Sequence, residues 1–294
     1  MIIDAHLHVW DRSRARYDWL GPDLPEVDRD IAFAEIAPEL TRLGVDGVVL
    51  VQSADNAEDT ANMLDVAAQW PRVLGVVGWV PVEEPNAAEP MLAARVADRR
   101  IVGVRNLIHD RLDPDWVLTP GFAGGLSLLT AHGVPFDFVT ANPAALSRLD
   151  RIAGEHPEQV FVLDRLGKPP LGAGDAAHRE WAQALRAVAA RPNVVAKVSG
   201  LYSAIGPEDS WTQDGVDRAV AVAVDAFGPE RLMYGGDWPM SLRAGGYERV
   251  LTGIRSAVRD WPAADAEHLW WRTAARVYGL ETAASARRMP GAGA

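Results

Sequence analysis

His6 and His8, one residue apart, stand at the end of the apolar run that opens the chain. Alternate residues of a strand share a face, so both imidazoles can point to one side together. That spacing suits a metal site or a pair of hydrogen-bonding groups; two buried structural histidines are the alternative. Far along the chain, Gly235-Gly236-Asp237-Trp238-Pro239 follows another apolar run. The glycines let the backbone pass close to a neighbour. Asp237 could ligate a metal, activate water as a general base, or do both in turn, with a plain helix N-cap as the alternative.

Such residues need a scaffold that gathers strand ends. Eight short β-branched runs recur, at 2–9, 45–51, 73–80, 101–105, 134–139, 160–163, 194–198 and 231–234. Their near-continuous apolar character fits parallel strands covered by helices. Amphipathic stretches lie between them, at 33–43, 57–69, 87–98, 122–132, 143–156, 176–190 and 215–227, and another at 247–258 follows the eighth run; a helix near 264–278 closes the series. Eight alternating units predict an α/β fold, a (β/α)₈ TIM barrel of one domain over residues 1–280, with 281–294 as a loose tail. An open doubly wound sheet would announce a phosphate-binding glycine fingerprint after its first strand; this chain has Asp4-Ala5-His6-Leu7-His8 there. Asp55 or Asn56 is placed to cap the second helix and Asn142 the fifth. The stretch 11–30 is too long for an ordinary turn and is expected to fold over the barrel mouth, and 201–214 forms a second long loop at that end.

The composition narrows the function classes. The chain of 294 residues carries a formal net charge of −11 without a basic face, which argues against a nucleic-acid partner. No apolar run reaches membrane-spanning length, and the opening residues lack a secretory pattern. A cytoplasmic protein without membrane association is the expectation, and a homodimer is one candidate assembly. With no cysteine, neither disulfides nor thiolate metal sites can form.

Five motifs occur in order over residues 2–239: Ile3-Asp4-Ala5-His6-Leu7-His8-Val9-Trp10, Gly103-Val104-Arg105, Leu163-Asp164-Arg165-Leu166-Gly167-Lys168-Pro169, Lys197-Val198-Ser199-Gly200-Leu201 and Gly236-Asp237-Trp238-Pro239. Together they resemble the amidohydrolase superfamily, and more narrowly its amidohydrolase 2 branch of L-fuconolactonase- and L-rhamnonolactonase-like lactone hydrolases. The resemblance implies a hydrolase that opens a sugar lactone or related small lactone by water attack. His6, His8 and Asp237 would form its catalytic centre, with Asp237 taking the proton from water. Members of the branch differ in metal need. The same three residues could hold one divalent ion, zinc first by ligand type, or the centre could work without metal. Arg105 would bind the lactone or a carboxylate through its fork of donors, and Gln52 would hydrogen-bond substrate. Trp10, Tyr17, Trp19 and Trp238 would offer stacking surface, and His109 could reach the mouth.

One position departs from the pattern. The branch usually carries histidine where this chain has Arg165, and arginine is neither a metal ligand nor a base at neutral pH. Beside Arg105 it could instead cradle an anionic group or a carbonyl oxygen as charge develops. Lys197, expected inside the barrel, would pair with Asp164 or Asp237. Two other readings stay open: a metal-dependent decarboxylase of the same superfamily, which needs a complete metal site, and a non-catalytic binder of carboxylates or sugar acids.

Overall fold

The computed structural model describes residues 1–108, 111, 113–140, 145–201 and 212–281, and strands alternate with helices through all of them. The strands are β1 (Ile3–Leu7), β2 (Gly47–Val51), β3 (Val73–Gly78), β4 (Ile101–Asn106), β5 (Phe136–Phe138), β6 (Phe161–Leu163), β7 (Val194–Val198) and β8 (Leu232–Tyr234). The main helices are α1 (Phe33–Leu43), α2 (Ala57–Gln69), α3 (Pro85–Ala97), α4 (Pro120–Ala131), α5 (Leu146–Glu155), α6 (Asp175–Ala189), α7 (Gln213–Phe227) and α8 (Tyr247–Ala257). All eight strands lie in one sheet in chain order, each parallel to the next. This is the expected (β/α)₈ barrel. The closing helix is not continuous: α9 (Ala263–Glu267) and α10 (Thr273–Val277) flank a π-helical turn at His268–Arg272.

Two apolar layers hold it together. Leu40, Met63, Leu92, Leu126, Leu149, Leu185, Val220 and Leu251, from eight different helices, pack with strand residues in the layer outside the sheet. A smaller cluster comprises Ile3, Ala5, Val49, Val51, Val77, Val162, Val195 and Met233, with Tyr278 and Leu280 beyond α10. Each such aliphatic side chain contributes about 1.5–3 kcal/mol when fully buried. Asn56, rather than Asp55, caps α2 by accepting from the Asp59 amide at 2.8 Å. Among the described residues no helix is long and apolar enough to cross a membrane. Asn142, most of the 201–214 loop and the tail from 282 lie outside the described residues.

A break in β1 determines which way its histidines face. The pairing with β2 runs Asp4↔Val48 and then Leu7↔Leu50, three residues against two. The extra residue reverses the alternation, as a bulge does. Before it, Ile3 and Ala5 belong to the smaller cluster; after it, Leu7 packs in the outer layer. His6 and His8 therefore turn to the inside, where an unbroken alternation with Ile3 and Ala5 would have sent them out.

Candidate active site

The barrel closes where the site is built. β1 and the segment after β8 meet through a parallel bridge between Leu7 and Trp238. Asp237 N donates to His6 O at 2.8 Å, and His8 N donates to Trp238 O at 2.7 Å. Asp4 ties this seam from behind. Its Oδ1 accepts from the amides of His6 and Gly236, each at 2.9 Å, and its Oδ2 accepts from the Tyr247 hydroxyl at 2.8 Å. Burial is the main force on the Asp4 carboxyl, raising it to about 6.

Three donor atoms converge in front of the seam. His6 Nε2 lies 3.1 Å from His8 Nε2, and Asp237 Oδ1 lies 3.4 and 3.5 Å from the two. Asp237 reaches this point from a left-handed backbone conformation, φ 51°. Non-glycine residues rarely adopt that region outside sites where the surroundings enforce it. The His8 Nδ1 lies 2.7 Å from the Val51 carbonyl, which can only accept. Neutral His8 thus carries its hydrogen on Nδ1 and presents a lone pair from Nε2. His6 Nδ1 stands between Asp164 Oδ1 at 3.3 Å and Lys197 Nζ at 3.4 Å. If His6 donates to Asp164, two Nε2 lone pairs face each other at 3.1 Å and call for a cation between them. A tetrahedral ion with bonds of about 2.1 Å spaces its ligands about 3.4 Å apart. The donor set therefore fits a divalent ion held by His6, His8 and Asp237.

Around these donors, the buried carboxylates of Asp137, Asp164 and Asp237 each face a basic side chain. Arg105 Nη1 donates to Asp164 Oδ2 at 2.8 Å and its Nη2 to the Gln52 carbonyl. Lys197 Nζ donates to Asp137 Oδ2 at 2.6 Å and lies 3.1 Å from Asp164 Oδ1. Arg165 Nη2 donates to Asp237 Oδ1 at 2.7 Å. Burial alone would raise the Asp237 carboxyl, but Arg165 and the two histidines outweigh it and hold it well below the usual range. Asp164 is held low against the same burial by Lys197, His6 and Arg105. Burial lowers both histidines, His6 to about 3, so both rings are neutral at pH 7.

The centre opens onto a cavity of about 190 Å³ lined by His8, Trp10, Trp19, Ser53, Arg105, Leu107, Val139, Arg165, Lys168 and Met240. Arg105 Nε and Arg165 Nε are buried beside it without a hydrogen-bond partner among the described residues. Trp19 is delivered by the 11–30 loop, whose base is an antiparallel bridge between Trp10 and Ile31. The loop docks on the turn after β2: Trp19 Nε1 donates to Ser53 O, and Tyr17 Oη to Asp59 Oδ1, each at 2.7 Å.

The amidohydrolase family model matches residues 3–280. The chain belongs to the amidohydrolase family. It is 35% identical over 243 residues to an L-fucono-1,5-lactonase of Burkholderia ambifaria, covering 83% of this chain and 82% of that protein. An L-fucono-1,5-lactonase of Burkholderia multivorans is 33% identical over 300 residues, covering 97% and 98%. A solved amidohydrolase structure from Burkholderia multivorans, described with bound zinc, matches with a TM-score of 0.87 at 32% identity, over 96% of this chain and 100% of that one.

In this amidohydrolase the structure brings together His6, His8, Asp237, Arg105 and Arg165, with Trp19 lining the same cavity. Gln52 is behind the wall rather than on it, bonding the Arg105 carbonyl through Nε2 at 3.1 Å while its own carbonyl receives Arg105. Trp238 is 3% exposed and packs in the outer layer. Tyr17 is buried with its hydroxyl on Asp59, below the loop. His109 lies outside the described residues. Ser53, Leu107, Val139 and Met240 were not singled out from sequence. They follow strand ends, the only signal that could have found them. Asp137 was also missed, because an acid in the middle of a three-residue strand has no motif around it.

Proposed function

We propose that this amidohydrolase opens a small lactone, of the sugar-lactone class, to its hydroxy acid. The observation that carries the reading is one cavity wall shared by His8, Arg105 and Arg165, with Asp237 directly behind it. The similarity to L-fucono-1,5-lactonases over nearly the whole chain supports the choice of a lactone ester.

Water attacks the lactone carbonyl from the His8 side. His6 and His8, neutral and partly committed through Nδ1, hold the water by their Nε2 atoms. Asp237 takes its proton. Arg105 and Arg165, which line the cavity, receive the negative charge on the carbonyl oxygen. The carbonyl carbon–ring oxygen bond then breaks, and the ring oxygen takes a proton back from Asp237. The product is a carboxylate with one new hydroxyl, released with a proton to solvent. A resting Asp237 held so low is a weak base. The two roles of Arg165 answer this: as its hydrogen bonding shifts toward the oxyanion, Asp237 recovers proton affinity. A divalent ion on His6, His8 and Asp237 would supply Lewis-acid polarisation and a more acidic water.

The test is a panel of 1,5- and 1,4-sugar lactones, L-fucono-1,5-lactone included, followed by acid release. Wild type should hydrolyse at least one, and Asp237→Asn should lose about a hundredfold or more in kcat with an unchanged circular dichroism spectrum. Hydrolysis of no lactone would sink the substrate class. Full activity in Asp237→Asn would remove Asp237 as the base and leave the class standing.

A further inference from the structure

Arg165 is held in place by more backbone strain than a substrate contact requires. Arg165 (φ 56°, ψ 31°) and Leu166 (φ 49°, ψ 29°) are left-handed in succession, and so is Asp237 opposite. Non-glycine residues hold that conformation only where the surroundings offset its cost. Gly200 (φ 60°) completes the arrangement. A Cβ there would stand 2.8 Å from both Arg165 Cγ and Asp237 Oδ2, so only glycine leaves room for the pair. The side chains are 16% and 1% exposed. The fold thus commits four left-handed positions to setting one guanidinium on one carboxylate.

The oxygen that Arg165 holds is the one the metal donor set would use. Asp237 Oδ1 receives Arg165 Nη2 at 2.7 Å and stands 3.4 Å from His6 Nε2 and 3.5 Å from His8 Nε2. An ion about 2 Å from that oxygen would lie within about 5 Å of the guanidinium nitrogen. The surrounding charges already balance, with Asp137 and Asp164 facing Lys197 and Arg105, and Asp237 facing Arg165. A divalent ion would add two positive charges beside the Arg165 guanidinium, a repulsion that Asp137, Asp164 and Asp237 offset less because each already faces a basic side chain.

We infer that Arg165 is a resident cation that competes with a divalent ion for Asp237, so that ion binding requires Arg165 to leave Asp237 and Arg165 sets the ion affinity of the centre. The inference stands apart from the lactone reading, because it concerns affinity and not turnover. Zinc affinity measured by competition with a chromogenic chelator tests it, on wild type, Arg165→Gln, Arg165→Lys and the double variant Arg165→Gln/Asp237→Asn, each checked for folding by circular dichroism. Arg165→Gln should bind zinc about tenfold or more tighter than wild type. Arg165→Lys, which keeps the charge, should stay nearer wild type, and the double variant should lose the gain. Unchanged affinity in Arg165→Gln overturns the inference. So does an equal gain in Arg165→Lys, or a gain that survives loss of the Asp237 carboxylate. Wild type alone supplies a second measurement should the variants misfold. Saturated with zinc and desalted, it should retain well under one ion per chain, and retention of a full equivalent overturns the inference.

Discussion

Asp59 shows how one buried carboxylate ties the mouth loop to the barrel. Its Oδ2 accepts from the amides of Ser53 at 2.7 Å and Ala54 at 3.3 Å, while Oδ1 accepts from the Tyr17 hydroxyl. Burial wins over these donors and raises its carboxyl from 3.8 to about 6. The folded state then binds the proton more tightly than the unfolded chain. The contribution to stability is fully present below the unfolded value and falls as pH rises through the window from about 4 to 6. Two pKa units correspond to about 2–3 kcal/mol. Asp59→Asn keeps an acceptor for the amides and can donate to the Tyr17 oxygen. Its stability relative to wild type should therefore be more favourable at pH 7 than at pH 4, read from denaturant unfolding at both. A difference independent of pH would contradict the raised carboxyl. At this scale His6, His8 and Asp237 were legible because residue type, spacing and flanking glycines all lie within a few residues of one another. The bond from Arg165 to Asp237 was not, because it depends on a left-handed turn at 165–168 and on Gly200, far away in sequence. The Lys197 partners were half legible: Asp164 or Asp237 was expected, and the ammonium faces Asp164 but lies nearer to Asp137.

At the scale of elements, periodicity marked out the helices well. The expected 33–43 and 57–69 coincide with α1 and α2. Helix ends elsewhere moved by at most three residues, as at α4, where the capping residue Thr119 outranks the apolar pattern. The β1 bulge could not be read, since it is a mismatch between two strands and has no signature in one. Yet it turns the histidines inward, and the β1–β8 seam holds them there. Gly236 is the point where that seam is tightest. A Cβ on it would overlap the Tyr247 ring and stand 2.6 Å from Asp4 Oδ2. Both neighbours are buried and bonded to each other, so neither can give way cheaply. Gly236→Ala should lower stability by about 1–3 kcal/mol, the range for overpacking, and should cost activity as well because Asp237 is the next residue. Thermal melts and turnover read the two effects. A variant with wild-type melting and rate would show that the seam does not position Asp237.

Across the whole molecule, a polar chain runs up the inside of the barrel. Tyr278, just beyond α10, donates to Asp137 Oδ2 at 2.8 Å. Asp137 on β5 receives Lys197 of β7, which also faces Asp164 after β6 and His6 of β1. Asp164 in turn receives Arg105 of β4. Side chains of five strands and strand ends, with Tyr278 beyond α10, thus share one electrostatic balance that reaches the candidate metal donors through His6. Burial raises Asp137 to about 6 even with Lys197 beside it, whereas Asp164 stays low. Among the described residues Lys197 is the basic group that faces both, so its removal leaves Asp137 without a basic partner while Asp164 keeps Arg105. Lys197→Met should therefore destabilise the fold by about 3–5 kcal/mol, the usual cost of stripping one partner from a buried pair. Adding Asp137→Asn removes the charge that loses its partner. The double variant should recover part of that loss, giving a coupling of at least about 1 kcal/mol in a double-mutant cycle. Lys197 would then be acting through charge balance rather than through the space it fills. Strict additivity of the two changes, measured by denaturant unfolding at pH 7, would instead assign Lys197 to packing and dissolve the link from the barrel floor to the site.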